Sequence, residues 1–203
     1  MPGAAGRAAL RRLDSAEFVR DNPVPFTVMP AKKATPKVEN PRAGRPHMPG
    51  YGLPKGAKGL FPWKWAEDRL RKSHNYWIAT VRPDGRPHVM IVWGLWLDGA
   101  FYFSTGRQSR KAHNLTENPR CVISTEQAHQ AVVVEGAAAE VADVSLRRTF
   151  LRKVERKYQY DMSSFEADVL SMKEPIYAVH PSVVFGLDEK KSLNCATRWK
   201  FLR

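Results

Sequence analysis

FYFSTGRQSRKAHNLTEN, residues 101–118, is the stretch that decides the fold. Its first residues are apolar and aromatic, and they predict a β-strand that ends in the hydroxyl pair Ser104 and Thr105. Gly106 breaks this pattern, and Ser109 is a residue type that caps the start of a helix. The apolar residues that follow have helical spacing until an Asn-Pro pair ends them. We therefore expect a strand that passes through a short loop into a short helix.

The junction between this strand and this helix carries the residue types that bind a phosphate monoester. Free N–H groups at a helix start attract an anion, Arg110 offers a planar pair of donors, and Lys111 adds a point charge. The hydroxyls of Ser104, Thr105 and Ser109 can donate to the remaining oxygen atoms. The alternative interpretation is that both cations are solvated surface charges. However, cations at a helix N-terminus oppose the helix dipole, and a bound anion would cancel that cost.

The sequence on both sides of this junction predicts further strands joined by hairpins. Pro83-Asp84-Gly85 and Asp98-Gly99 are turn signals between apolar runs. The predicted strands are 76–82, 87–97 with a bulge or kink at Gly94, 100–105, 120–125, 131–141, 176–180 and 183–187 with a break at Pro181, and 196–201. Further amphipathic helices are predicted over 63–74, 144–157 and 165–172. Consecutive strands joined by hairpins form an antiparallel sheet. Because exposed sheet edges are unfavourable and a closed barrel has none, we expect a closed, mainly β (α+β) domain.

Composition divides the 203-residue chain into two parts. Residues 1–62 hold 10 of the 15 prolines and predict a basic, Pro/Gly-rich N-terminal arm, whose apolar segment after Pro46 packs on the domain or on a second subunit. Residues 63–203 are expected to form the barrel domain. A net charge of +13 favours anionic partners.

The sequence also predicts where the chain is found and what it lacks. No run of 18 apolar residues is present, so no membrane span is expected. Cys121 and Cys195 lie outside any metal-ligand spacing, which disfavours a metal site. Two isolated thiols without a secretory leader segment predict a cytoplasmic location.

Residues 76–124, YWIATVRPDGRPHVMIVWGLWLDGAFYFSTGRQSRKAHNLTENPRCVIS, resemble the pyridoxamine 5′-phosphate oxidase-like superfamily of split β-barrel flavoproteins. The similarity runs through the P-D-G turn, the D-G hairpin, the S-T strand end, the S-R-K helix start and N-L-x-x-N-P-R. Residues 177–189 and 196–201 resemble the closing strands. This resemblance implies an antiparallel split β-barrel with a few flanking helices, with the extended Pro-rich arm outside the common core.

The resemblance also implies a homodimer with cofactor bound between the subunits. By position, Ser104 and Thr105 match the cofactor contacts at the strand end, Arg110 and Lys111 match the phosphate ligands, and 90–93 match the strand whose backbone lines the isoalloxazine-type ring. His88 is a candidate for a contact to a flavin carbonyl or for proton transfer, or it is an ordinary surface or core histidine. The expected cofactor-binding residues are His88, Met90, Ile91, Val92, Trp93, Ser104, Thr105, Ser109, Arg110 and Lys111. Four tryptophans are candidates for ring stacking or for the barrel core: Trp77, Trp93, Trp96 and Trp199.

The function implied is an oxidoreductase that transfers hydride between FMN, or alternatively coenzyme F420, and a small organic substrate. No catalytic side chain is expected, because the cofactor carries the hydride chemistry. Pro87-His88 and Trp93 stand where the oxidases carry basic residues, so pyridoxamine phosphate is not the expected substrate. Two alternatives stay open: a non-catalytic flavin or haem carrier, and a nucleic-acid-binding barrel. The latter is disfavoured because the aromatic residues of the β region alternate with apolar rather than basic ones.

Overall fold

Nine strands and four α-helices make up residues 41–201, the part of the chain described by this computed structural model. The strands are β1 Arg42–Gly44, β2 Tyr76–Val81, β3 Pro87–Val92, β4 Gly94–Leu97, β5 Ala100–Ser104, β6 Arg120–Thr125, β7 Gln130–Glu140, β8 Ile176–Asp188 and β9 Thr197–Lys200. The helices are α1 Trp63–Lys72, α2 Arg110–Glu117, α3 Val144–Tyr158 and α4 Ser163–Leu170, and a 3₁₀ helix spans Glu189–Cys195. The first 40 residues of the predicted arm lie outside the described residues.

Every strand pairing in the sheet is antiparallel. The strand order is β1-β9-β8-β7-β6-β2-β3, and the β4–β5 hairpin joins through β5 to β8. The first half of β8 pairs with β5 and the second half with β9, so this long strand connects two parts of the barrel. The predicted mainly β, antiparallel split β-barrel with a few flanking helices is confirmed.

The barrel has an apolar interior and a second apolar layer under two helices. The interior cluster includes Tyr76, Phe101, Phe103 and Trp199, each essentially inaccessible to solvent. The second cluster lies where α3 and α4 cover the outside of β4 and β5. No helix among residues 41–201 is both long enough and apolar enough to cross a membrane.

The predicted break at Pro181 is wrong, because β8 continues through this residue. The register shifts opposite β7: Gly136 pairs with Pro181, whereas Glu135 pairs with Val183. Ser182 is thus the extra residue of a bulge, and its hydroxyl donates to the Glu135 carbonyl at 3.0 Å. A bulge accommodates proline in a strand, because the residue need not donate to a regular ladder.

The predicted long strand over 87–97 is divided in two. β3 ends at Val92 and β4 begins at Gly94, so the irregularity expected at Gly94 falls immediately before it. A Cβ at Gly94 would overlap the Phe101 ring and lie 2.8 Å from the Tyr102 carbonyl oxygen. Only glycine therefore allows β4 and β5 to approach this closely.

Gly136→Ala tests how tightly the bulge is packed. A Cβ at this position would overlap the His180 carbonyl oxygen and lie 3.1 Å from Cγ1 of Val179. Since backbone atoms cannot move aside easily, we expect a loss of about 2 to 3 kcal/mol in the free energy of unfolding, measured by urea denaturation. Gly44→Ala is the matched control, because nothing lies within 4 Å of its Cβ position. Equal losses in the free energy of unfolding of the two variants would show that the structure around the bulge relaxes to accept the added methyl group.

The described end of the arm is attached to the barrel of its own chain. β1 pairs with β9, and the buried Phe61 donates its backbone N–H to Oγ1 of Thr197 at 2.9 Å. The Arg45 guanidinium donates to the carbonyls of Gly56, Lys58, Asn194 and Ala196. Residues 42–61 are thus fixed against the end of the barrel that carries the 3₁₀ helix.

Candidate functional site

The β5–α2 junction brings the predicted hydroxyl residues and cations into one turn of chain. Ser104 ends β5, and Oγ1 of Thr105 lies 3.0 Å from Oγ of Ser109. Ser109 caps α2 by accepting a hydrogen bond from the backbone N–H of Ala112 at 3.3 Å. Arg110 and Lys111 are the first two residues of the helix. The cap uses the lone pairs of Ser109 and leaves its proton available to a neighbouring acceptor.

Strand pairing brings His88 to the same place. Thr80 on β2 lies opposite His88 on β3, with Oγ1 of Thr80 3.4 Å from Nδ1 of His88. Asn114 on α2 donates its side-chain N–H to Oγ1 of Thr80 at 2.9 Å. Both polar side chains are buried, so this short series of contacts holds α2 against the start of β3.

Four basic side chains converge around this junction: Arg82, His88, Arg110 and Lys111. Burial and the positive charges of Arg82, Lys111 and Arg110 lower the pKa of His88. Burial also lowers the pKa of Lys111. Within the described residues, Nε of Arg82 is buried without a hydrogen-bond partner. The neighbouring charges that lower the pKa of His88 are positive, and an anion bound beside them would be stabilised.

Arg107, in the loop that leads into α2, is held by contacts within the protein and has a structural role. Its guanidinium forms an ion pair with Glu140 at 2.7 Å and donates to the carbonyls of Met172 and Lys173. Its backbone N–H donates to the Glu174 carboxylate. Because these contacts neutralise and fix Arg107, it is not available to a ligand as Arg110 is.

β3 lies at one end of the strand order, so among residues 41–201 no further strand pairs with its free side. Met90 and Ile91 are about half exposed, at 48 % and 50 %, whereas the Val92 side chain is buried in the barrel interior. Val92 can therefore offer a ligand only its backbone.

Trp93 follows the strand and stacks on Tyr158 with ring centroids 4.4 Å apart. At about 3.4 Å per residue, Trp93 lies roughly 17 Å from His88 along the strand, so the structure does not bring Trp93 to the junction.

The face of β2 and β3 that points away from the barrel interior is exposed and apolar, and we call it the outer face. It consists of Trp77, Val81, Val89 and Ile91, which are 38 % to 50 % exposed and alternate with the residues that face the barrel. A contiguous apolar surface beside a free strand edge is typical of an interface between proteins.

Sequence reasoning missed three residues of this site: Arg82, Thr80 and Asn114. Arg82 immediately precedes the Pro83-Asp84-Gly85 turn, and strand alternation across that hairpin could have placed it near His88. Thr80 and Asn114 carry no such signal, because their contact depends on how α2 packs against β2. Residues 41–201 contain no group of three or more His, Cys, Asp or Glu side chains that could hold a metal ion.

Comparisons with known proteins agree with this architecture. A conserved hypothetical protein from Mycobacterium tuberculosis has a similar structure, with a TM-score of 0.56 and 24 % identity over 68 % of this chain and 92 % of that one. An F420 reductase gives a TM-score of 0.50 and 24 % identity over 64 % of this chain and 98 % of that one.

Sequence relatives lead to the family. The pyridoxine/pyridoxamine 5′-phosphate oxidase of Bacteroides thetaiotaomicron is 38 % identical over 69 residues, a match that spans about a third (32 %) of each protein. The sequence model of the pyridoxamine 5′-phosphate oxidase family matches residues 64–182, more than half of the chain. This chain therefore belongs to the pyridoxamine 5′-phosphate oxidase family.

Proposed function

We propose that this chain is an oxidoreductase that binds FMN, or alternatively coenzyme F420, and transfers hydride between that cofactor and a small organic substrate. One observation carries the proposal: the three cations Arg82, Arg110 and Lys111 act on His88 beside the β5–α2 junction, and Nε of Arg82 is buried without a hydrogen-bond partner in the described chain. A buried donor beside several positive charges fits an anionic group such as a cofactor phosphate.

Several residues at the junction would bind the phosphate, each through different atoms. Arg110 and Lys111 would bind its oxygen atoms, and the hydroxyls of Ser104, Thr105 and Ser109 would donate to those that remain. Arg82 and His88 would add positive charge from the β2–β3 side. Each charge-assisted hydrogen bond of this kind contributes about 1.5 to 3 kcal/mol.

The free edge of β3 would hold the ring of the cofactor. Backbone N–H and C=O groups of Met90, Ile91 and Val92 on the side away from β2 have no strand partner in the described chain, and they can pair with the polar edge of a flavin-type ring. When bound, the cofactor supplies the hydride chemistry, and the chain supplies anchorage, orientation and a site shielded from water.

A second copy of the chain is the partner we propose for the outer face. Trp77, Val81, Val89 and Ile91 would be costly to leave in water, and a homodimer would bury them beside the cofactor strand. This arrangement would place each cofactor at the subunit interface.

The test of the proposed function begins with the absorbance spectrum of the purified protein. The protein stripped of cofactor is then titrated with FMN and with coenzyme F420, and we expect tight binding of at least one. Single-turnover oxidation of the bound reduced cofactor is then measured against a panel of small acceptors. No binding of either cofactor would refute the proposal, and binding without any acceleration of oxidation would make the chain a carrier instead.

The imidazole of His88 provides a direct report on phosphate binding. In the free protein its pKa lies below the ordinary 6.5, because burial and three neighbouring cations disfavour the charged form. A bound phosphate favours the charged form, so the pKa of His88 should rise on binding, and by linkage the affinity should increase as the pH falls through the pKa of His88 in the complex. NMR titration of the imidazole signals with and without FMN measures the pKa change, and FMN titrations at several pH values measure the affinity. The exposed His129, at the opposite end of β6, is the control, and an unchanged His88 titration at saturating FMN would contradict the placement.

A further inference from the structure

We propose that Thr80 and Asn114 are positioning residues that hold the neutral imidazole of His88 in one tautomer, with its proton on Nε2. The ring then offers an N–H donor, rather than an acceptor, to an anion at the β5–α2 junction. The tautomer is a property of the free chain, whereas the contact of this donor with a cofactor phosphate rests on the proposed function.

The Asn114 side chain makes the first hydrogen bond of the series. It is fully buried, and its amide N–H donates to Oγ1 of Thr80 at 2.9 Å. The amide oxygen, Oδ1, is buried without a hydrogen-bond partner within residues 41–201. The opposite orientation of the amide would leave its two N–H groups unpaired instead, and buried N–H groups without a partner are the rarer case in proteins. The amide is therefore the donor in this contact, and Thr80 is the acceptor.

The Thr80 hydroxyl makes the second hydrogen bond. Its single proton is not used in the contact with Asn114, and two acceptors lie 3.4 Å away, both on His88: ring Nδ1 and the backbone carbonyl oxygen. The carbonyl belongs to the β2–β3 ladder, because Arg82 donates to the Arg86 carbonyl at 2.9 Å and bonded pairs recur every two residues. Nδ1 has no other donor in the described chain, so we assign the hydroxyl proton to it.

These two hydrogen bonds determine which nitrogen of His88 carries the proton. A ring nitrogen that accepts a hydrogen bond is unprotonated, so the proton of the neutral ring lies on Nε2. The ring is mostly neutral at neutral pH, because burial and the charges of Arg82, Lys111 and Arg110 lower its pKa. Nε2 makes no hydrogen bond to any of the residues that the structure describes, so its N–H is available to a ligand. The other tautomer would direct a lone pair at the phosphate oxygens and repel them.

Asn114→Asp tests the assignment by reversing the direction of both hydrogen bonds. The new carboxylate can only accept, so it would take the proton of Thr80, and the Thr80 oxygen would then accept from Nδ1–H of His88. The cations around His88 favour the ionised carboxylate. The proton should therefore move from Nε2 to Nδ1, whereas a purely structural role of Asn114 predicts no such switch.

The tautomer is measured from the nitrogen chemical shifts of the imidazole in the isotope-labelled, cofactor-free, full-length chain, because protonated and unprotonated ring nitrogens differ widely in shift. Spectra are recorded at a pH about two units above the ordinary imidazole pKa, where the ring is neutral. The signals of His88 are those that disappear in His88→Gln. We expect nearly all of the proton on Nε2 in the wild-type chain and most of it on Nδ1 in Asn114→Asp. The exposed His129 is the internal reference and should not change.

Thr80→Val/Asn114→Asp is the matched control, since it adds the same carboxylate and removes the hydroxyl between that group and the imidazole. Thr80→Val alone removes the hydroxyl without a new charge. In both variants His88 should show the tautomer mixture of the exposed His129. Titration with FMN, or with F420 where that is the cofactor bound, tests the donor at the same pH. Asn114→Asp should bind about tenfold more weakly than the double variant of equal charge, because a hydrogen bond to a charged group contributes about 1.5 to 3 kcal/mol.

The possible outcomes separate the inference from the proposed function. A proton on Nδ1 in the wild-type chain, no switch in Asn114→Asp, an equal switch in the double variant, or an unchanged His88 in Thr80→Val would each overturn the inference and leave the proposed function intact. Equal cofactor affinity of Asn114→Asp and the double variant would overturn the contact between the His88 donor and the phosphate. Failure of the wild-type chain to bind FMN and F420 would overturn the proposed function, while the tautomer of the cofactor-free chain would still be decided by its own spectrum.

Discussion

Replacing Arg110 and Lys111 together by alanine is expected to weaken FMN binding at least a hundredfold. The two residues begin α2, and no carboxylate of the described chain forms an ion pair with either. Each would make a charge-assisted hydrogen bond to the phosphate worth about 1.5 to 3 kcal/mol, so their joint loss costs about 3 kcal/mol or more. Since 1.4 kcal/mol corresponds to a factor of ten in affinity, a hundredfold loss is the lower bound.

The chain offers a closely matched control in Arg152→Ala/Lys153→Ala. Like Arg110 and Lys111, these residues are adjacent and helical. Both are exposed on α3, and no hydrogen bond or ion pair of their side chains occurs within residues 41–201. The control removes the same net charge, so it corrects for the long-range field of the whole protein. Calorimetric titration of both variants with FMN measures the difference. Affinities within threefold of each other would mean that the phosphate is held elsewhere.

The parts of this fold that could be predicted from sequence are those fixed by neighbours in the chain. The Pro83-Asp84-Gly85 and Asp98-Gly99 turns form as expected, with φ of +82° at Gly85 and +78° at Gly99. Ser109 caps α2 as predicted. Each depends on the conformational preferences of two to four consecutive residues, which no distant contact opposes.

The features that sequence did not reveal depend on contacts between distant segments. Trp96 and Trp199 are core residues with 2 % and 0 % exposure, so for them the barrel-core alternative is the one that holds, whereas Trp77 and Trp93 are 43 % and 40 % exposed. Which tryptophan faces the interior depends on strand register, and register depends on pairings that composition does not specify. Pro181 shows the same point: only the bulge against β7 allows the strand to continue through it.

The predicted cofactor-binding residues also fall into two groups: those placed by local structure and those placed by contacts between distant segments. Its members at the β5–α2 junction are close in sequence, and their proximity follows from local structure alone. His88 joins them only through the β2–β3 pairing and the Asn114–Thr80 hydrogen bond. Arg82 was not predicted, although strand alternation across the β2–β3 hairpin puts it on the same side as His88. Binding of a cofactor by these residues stays a prediction.

Arg147→Met is expected to lower the free energy of unfolding by about 2 to 4 kcal/mol. Arg147 on α3 is fully buried, and its guanidinium donates to the carbonyls of Val141, Val169 and Glu174, each at 2.7 Å. It thereby joins α3 to the residue just after β7, to α4 and to the segment between α4 and β8. Methionine keeps much of the side-chain volume but leaves buried carbonyl groups without a donor, at about 1 to 3 kcal/mol each. Relief from burying the charge, which also lowers the pKa of Arg147, offsets part of that loss.

Arg148→Met is the control, because it makes the same change one residue further along α3. The Arg148 side chain is 57 % exposed, and its ion pair with Glu166, at 3.3 Å, joins two exposed groups, so its loss should cost less than about 1 kcal/mol. Urea denaturation of both variants measures the difference, provided that the slope with denaturant is unchanged. Equal stability of the two variants would mean that desolvation of the Arg147 guanidinium cancels its three hydrogen bonds. A deficit specific to Arg147→Met would instead show that this buried guanidinium, which forms no ion pair within residues 41–201, stabilises the packing of α3 and α4 on the barrel through its three hydrogen bonds.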